Sequence, residues 1–580
     1  MRISFLFIAI IGWIQLDGQS GFTKVTDANN PITTYTPGAL YRGAAWIDVN
    51  NDDLLDLFVA PNKLFINGGN KQFTFKDTGF TFDDNVQRPT GISWADVDND
   101  GDLDCAVATT PSQLYMNDGT GAFSKVDLSG NTISGWGCAF GDANNDGWLD
   151  LVIAHAIGFI PNPSPSFFFV NNGAGALNLS PQSYDFTTTT APYTVPYWSD
   201  FDLDGDLDLF IASGPGGSPG PDFHYKNLKI ETGKDSLVRI TDLPFATEQQ
   251  DGQCYNFIDY DNDGDLDLCL TNYAGAASKF YRNDNGTYTP ITTPFTVPGL
   301  PRLANSWGDF DNDGDLDVII ANDNFLAPAY YQNNGDGTFS LSNVGIASNV
   351  GTACMTSGDF DNDGDLDIHI QGTASGRALY ENTSLAGNKN WVNIKCTGST
   401  SNRSAIGAKV RLKATINGNV VWQMREISAQ NTFQGQNDLR VHFGLGDATI
   451  IDSLVIEYLG GAKDVFTNLM INQFYSTTEK KNDISIITSN KEIARNTLQG
   501  FKIYPNPTST LLTIEQIAPF SGASAIYSIF DGSGKLIQQR ILQDSVGQKV
   551  PVSLQELPTG QYYIYFKMNE YHQTLTVHKY

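Results

Sequence analysis

Seven stretches of nine residues concentrate the side chains that could do chemistry. Beginning at Asp48, Asp96, Asp142, Asp200, Asp259, Asp309 and Asp359 they read DVNNDDLLD, DVDNDGDLD, DANNDGWLD, DFDLDGDLD, DYDNDGDLD, DFDNDGDLD and DFDNDGDLD. Oxygen-bearing side chains stand at positions one, three, five and nine of each. These are Asp48, Asn50, Asp52 and Asp56; Asp96, Asp98, Asp100 and Asp104; Asp142, Asn144, Asp146 and Asp150; and Asp200, Asp202, Asp204 and Asp208. The last three loops supply Asp259, Asp261, Asp263 and Asp267; Asp309, Asp311, Asp313 and Asp317; and Asp359, Asp361, Asp363 and Asp367. In a tight loop the alternate side chains converge, and the ninth returns to close the set. Hard oxygens at this density suit Ca²⁺, which takes roughly six to eight of them at about 2.3–2.6 Å. Mg²⁺ suits less well, because it demands strict octahedral geometry and keeps its waters.

The alternative is a metal-free Asx turn. One such loop would fit that reading; seven with one ligand spacing favour a cation that neutralises the repulsion. Glycine at position six permits the sharp turn. Loop one has Asp53 there and Asn50 at position three, so it is the weakest expected site, followed by loop three with Asn144. The pattern matches the first part of an EF-hand but lacks its glutamate at position twelve and its flanking helices, which excludes that motif.

The loops need a scaffold, and the sequence repeats one. Successive loops begin 48, 46, 58, 59, 50 and 50 residues apart. Position eight is always leucine: Leu55, Leu103, Leu149, Leu207, Leu266, Leu316 and Leu366. A β-rich run follows, then an aromatic, any residue and asparagine, as in Phe65/Asn67 or Tyr331/Asn333, and often a glycine-rich turn. Four short strands in about fifty residues make one propeller blade. The seventh unit lacks a last strand, while GFTKVTD at 21–27 supplies one, so residues 22–26 are expected to close the ring. The expected fold is all-β: a seven-bladed β-propeller followed by two small β domains.

These seven units resemble FG-GAP/VCBS repeats, the calcium-loop blades of integrin α-subunit propellers, over residues 21–388. The resemblance implies Ca²⁺ in the hairpin loops and contact with protein or glycan rather than catalysis. Residues 389–480 contain Asn402, Arg403, Ile406, Gly407 and the run His442 to Gly446, and resemble the ASPIC/UnbV domain of the cartilage acidic protein family. Tyr458-Leu459 departs from that family's Trp-Pro. Residues 481–499 read as a polar linker. From 500 to 580, Tyr504 to Pro507, Asp531 to Gly534 and Leu557 to Tyr563 resemble the type IX secretion C-terminal sorting domain. That resemblance implies a Bacteroidetes-type bacterium and export across the outer membrane.

Bulk properties agree. The formal charge is −29, which argues against a nucleic-acid partner and fits bound cations. Arg2, an apolar run from Ile3 to Leu16 and small residues thereafter read as a secretory signal peptide over 1–20, short for a retained anchor. No cysteine precedes Cys105, which excludes a lipidated cysteine at the cleavage site. The six cysteines form no CxxC pair and read as small buried residues, with disulfides permitted by secretion. No catalytic residues are assigned. Gly216 to Gly220 match G-x-S-x-G but lie in a Pro/Gly run without the strand–turn–helix setting of a nucleophile elbow. His155 and His369 read as packed, and no zinc spacing occurs. Pro-rich insertions at 159–169 and 213–225 carry aromatics that could stack on sugars or grip a protein. The expectation is a secreted or surface calcium-binding scaffold for protein or glycan binding, with no enzyme activity. A secreted polysaccharide-active lyase or hydrolase on the same propeller is the alternative.

Overall fold

The computed structural model describes residues 21–35, 41–81, 90–128, 133–157, 160, 163–214, 220–273, 276–323, 326–346, 351–373, 376–383, 387, 389–487, 501–504, 508–516, 525–531, 535–542, 549–568 and 571–580. The expected signal peptide, most of the G-x-S-x-G run and the tips of both Pro-rich insertions lie outside them.

Seven four-stranded antiparallel sheets make up the first part of the chain. Sheet six is typical, running from Arg302–Gly308 through Asp317–Asn322 and Ala329–Asn333 to Phe339–Ser342. Its acidic loop joins the first two strands. First strands of successive sheets abut, and Ala44–Ile47 of the first meets Thr352–Gly358 of the last, so the sheets form a closed ring. The fourth strand of blade seven is Phe22–Lys24, which pairs antiparallel with Ala378–Asn382 in the register Phe22↔Asn382 and Lys24↔Tyr380. It is two residues shorter than the span 22–26.

The repeated leucine anchors each loop from below. Six of the seven are buried, and Leu103 is half-buried. First and second strands are buried almost throughout, because both of their faces meet neighbouring blades. Fourth strands are largely exposed, as in Phe339–Ser342, because they form the outer edge of each blade.

The second domain pairs two four-stranded sheets. One runs Val441–Gly446, Asn390–Thr397, Phe474–Thr478, Ile484–Ile486; the other runs Asn419–Glu426, Lys409–Ile416, Ile451–Glu457, Lys463–Leu469. Ile484–Ile486 falls where the sequence reads as linker. It pairs with Phe474–Thr478 because its alternate isoleucines pack against the domain core. The C-terminal domain is a sandwich of a three-stranded and a four-stranded sheet around Phe501, Leu512, Ile514, Tyr527, Ile564 and Phe566.

The six cysteines are free and buried. His155 and His369 are buried as well. Of the insertion aromatics, Phe168, Phe169, His224 and Tyr225 are buried and Phe167 and Phe223 are half-buried, so these side chains pack under their loops rather than standing free for a ligand.

Candidate metal centres on the acidic face

Each acidic loop is wired by its own backbone. The position-one carboxylate caps the turn: Asp309 Oδ1 accepts from Asp313 N at 3.0 Å and Oδ2 from Gly314 N at 2.8 Å. Asp48, Asp96, Asp142 and Asp359 repeat both bonds, whereas Asp200 and Asp259 make the second. At position five, one oxygen accepts the N–H two residues on, as Asp313 does from Asp315. Position nine reaches across to the third strand, where Asp317 Oδ1 accepts from Asn333 N at 2.8 Å. The asparagine of each aromatic-x-Asn is therefore a partner of the ninth carboxylate, in all seven blades.

Position three is different. Asp311 Oδ1 is buried beside Lys389 Nζ at 3.3 Å, whereas Asn50 Oδ1, Asp202 Oδ1, Asp261 Oδ1 and Asp361 Oδ1 are buried with no hydrogen-bond donor. Asp200 Oδ1, Asp208 Oδ2 and Asp259 Oδ2 share that condition, on residues that are almost wholly buried. Buried oxygens of this kind cost free energy unless a donor or cation meets them. The carboxylates also converge. One oxygen from each of Asp96, Asp98 and Asp104 lies within 4.8 Å of the others, and the same holds for Asp200/Asp202/Asp208, Asp259/Asp261/Asp263 and Asp309/Asp311/Asp317. The donor set is thus one that fits a hard divalent cation.

Burial dominates the electrostatics. It pushes Asp96, Asp142 and Asp259 up to about 7, Asp104 to about 8 and Asp267 to about 9. Neighbouring carboxylates add to the rise, and backbone N–H groups oppose it.

Sequence reasoning missed three features of this face. The first is asparagine at position four, present at 51, 99, 145, 262, 312 and 362. Each has positive φ, between 54° and 60°, a region that asparagine tolerates better than most residues. Its amide reaches the next blade: Asn99 donates to Gly147 O, Asn145 to Gly205 O, Asn262 to Gly314 O, Asn312 to Gly364 O and Asn362 to Asp53 O. Asn51 instead donates to Asp102 Oδ1. Loop four has Leu203, so the chain of bridges breaks between loops four and five. The recurring NDG was readable as a motif; its inter-blade role was not.

The second is a run of cations that meets the acids. Lys395 Nζ lies 3.4 Å from Asp48 and 3.1 Å from Asp53. Arg403 Nε lies 3.5 Å from Asp96, Lys389 Nζ 3.3 Å from Asp311, and Lys409 pairs with Asp200. All four come from the second domain or its approach, which therefore docks on the acidic face. Within the propeller, Lys71 Nζ stands 3.0 Å from Asp361, and Lys226 pairs with Asp202 and Asp204.

The third is a plug. Residues 427–438 of the second domain enter the ring centre and hydrogen-bond its innermost strands. Gln436 accepts from Trp94 N at 2.8 Å and donates to Trp94 O at 3.1 Å, while its backbone N–H donates to Ala44 O. Gln434 O accepts from Ile92 N, Asn437 from Ser357 N at 2.9 Å, and Asn431 O from Asn256. A Cβ on Gly435 would sit 2.3 Å from Ala44 O, so only glycine fits. An uncharged, amide-rich run between Glu426 and Asp438 was the legible sign.

Comparisons with known proteins follow this division. The FG-GAP-like repeat family matches residues 48–107, 105–153, 259–320 and 309–370. ASPIC and UnbV matches 398–484, and the secretion system C-terminal sorting domain matches 502–578. No curated protein matches. Among solved structures, the chain is similar to the Tc holotoxin pore of Photorhabdus luminescens (12% identity, TM-score 0.32, 80% of this chain), of which it spans 22%. It is also similar to the Vibrio cholerae biofilm matrix protein Bap1 (12%, 0.28, 97% and 91% of the two chains) and to Saccharomyces cerevisiae Sqt1 (11%, 0.32, 79% and 96%). At these scores the overall likenesses bear no weight on function. The matched families are repeat and scaffold domains, and none is catalytic. The sorting domain supports export to the exterior or outer surface of a Bacteroidetes-type bacterium by the type IX route. Among the described residues, no helix is long and apolar enough to cross a membrane.

Proposed function

From a chain built of FG-GAP-like repeats, an ASPIC and UnbV domain and a type IX sorting tail, we propose a calcium-braced extracellular scaffold that binds a protein or glycan. Residues 1–20 direct export and are removed. The acidic loops hold Ca²⁺ through positions one, three, five and nine, with loop one weakest. The observation that carries this reading is the recurrence, in four loops, of a buried position-three oxygen with no donor, which in loops four and five stands among converging carboxylates. Those oxygens would ligate the ion, while the backbone bonds to positions one and nine keep the site open before it binds. The ion's chemistry is charge neutralisation: it removes the repulsion among buried acids and ties three strands of each blade together.

Titration calorimetry of the EGTA-stripped chain tests this. Saturable uptake of several Ca²⁺ per chain, with a rise in melting temperature, is the expected result. A stripped protein that takes up no calcium overturns the proposal.

A further inference from the structure

A cleft of about 850 Å³ separates loops five and six from the second domain. Asp259, Asp261 and Asp263 form one wall. The opposite wall is the strand Asn419–Glu426, the edge of its sheet, which pairs only with Lys409–Ile416. Trp422 on that strand is 42% exposed and lines the cleft beside Val420.

Loops three and five differ from the other five in what covers them, and of these two it is loop five that lines the cleft. Lysine or arginine pairs with the carboxylates of loops one, two, four, six and seven. Among the described residues, no such partner comes within the 4.0 Å of an ion pair to Asp259, Asp261 or Asp263. Asp259 is buried, and its Oδ2 has no donor; Asp261 Oδ1 has none either. Asp263, by contrast, is exposed. The missing bridge from Leu203 leaves the Gly264 carbonyl with a single long contact, 3.5 Å from Arg411 Nη1. Arg411 and Lys463 also line the cleft, where both are bonded to Glu457.

We propose that this cleft is the ligand site of the chain and that it takes an acidic saccharide, a glycan bearing uronic acids. The inference rests on the calcium reading above and names what that scaffold binds. A cation held by loop five has protein oxygens on its inner side and the cleft on its outer side. A sugar carboxylate or adjacent hydroxyls complete its shell. The apolar C–H face of the same ring lies on the Trp422 indole, which offers area with little rotamer entropy to lose. Arg411 and Lys463 supply charge-assisted donors to a second carboxylate. A peptide added to the free strand edge is the rival occupant; it needs neither the ion nor the indole.

The test uses calorimetry on the full mature chain with a short oligogalacturonate and its neutral galactose counterpart. The expected result is binding of the oligogalacturonate alone, lost in EGTA. Trp422→Ala should weaken it by at least about tenfold with calcium uptake and melting temperature unchanged. Binding that survives EGTA, an undiminished Trp422→Ala variant, preference for the neutral sugar, or no glycan binding by a calcium-loaded chain each overturns it. So does capture of extended peptides in EGTA that Trp422→Ala leaves intact. A chain that takes up no calcium fails before any sugar is added, which marks the failure of the calcium reading itself.

Discussion

Loop one and loop five are copies of the same nine-residue pattern in opposite surroundings. In loop one an asparagine replaces the carboxylate at position three, an extra Asp53 takes the glycine position at φ 61°, and Lys395 reaches in from the second domain to meet Asp48 and Asp53. In loop five all four acids are present, no lysine or arginine among the described residues pairs with the first three, and the cleft lies outside. The same motif can thus be neutralised by a side chain or left open for an ion and whatever the ion attracts. What separates them is which part of the second domain stands over each loop. Coverage by the second domain, and not the motif alone, sets the role of a blade.

Chelation is the broadest attempt to break this comparison. If ions fill the open loops, EGTA lowers the melting temperature by about 10 °C or more, since a ligand that binds only the folded state stabilises by mass action. An unchanged melt by differential scanning calorimetry would leave the two loops equivalent.

Gly435→Ala strikes at the covering itself. A Cβ there meets the Ala44 carbonyl, and the cost should be about 3 kcal/mol or more in urea denaturation. Because the plug seats the second domain, limited proteolysis should release that domain early in the variant. A domain that stays protected would show that the plug is dispensable.

Asp259→Asn and Asp48→Asn sharpen the contrast directly. The first should remove a tight calcium site, and the second should cost only the weakest one, because Lys395 already neutralises part of loop one. Equal losses by calorimetry would mean that Lys395 does not stand in for an ion.

The pH dependence follows from burial. Asp259 rises to about 7 and Asp267 to about 9, whereas Lys395 opposes the rise at Asp48. An unfolded carboxylate titrates near about 3.9, so the unfolded chain releases these protons first. Without calcium, stability therefore falls as pH rises from about 4 through about 9. Calcium favours the ionised form and offsets that loss, so the melting-temperature gap between calcium and EGTA should widen from about pH 5 to about pH 8. A constant gap would contradict this sign.

Leu203→Asn has the smallest expected effect, a gain of about 0.5–1 kcal/mol in urea melts. It relieves leucine at φ 61° and offers the bridge that six other loops make, against some lost packing. A loss of stability would show that the apolar contact outweighs the bridge.

Much of the propeller was legible in the residues themselves. The repeat period, the buried leucine and the aromatic-x-Asn together specify a blade, and the spare strand at Phe22–Lys24 was visible as a fourth-strand pattern without a home. The position-four asparagine was equally plain in print, yet its partner lies in the next blade, about fifty residues away, and no local pattern states that distance. Strand Ile484–Ile486 was hidden for another reason: three residues give too short an alternation to tell strand from linker.

Local spacing by itself determined the loops, because an alternate-residue ligand set needs only a tight turn to converge. It also determined the all-β character, through strand length and turn chemistry. Only the tertiary structure decided which loops are covered, because that depends on where Lys395, Arg403 and Lys409 come to rest after residues 427–438 fill the ring. It alone placed Trp422 opposite Asp259, since two segments more than 150 residues apart meet there through packing and not through any sequence period.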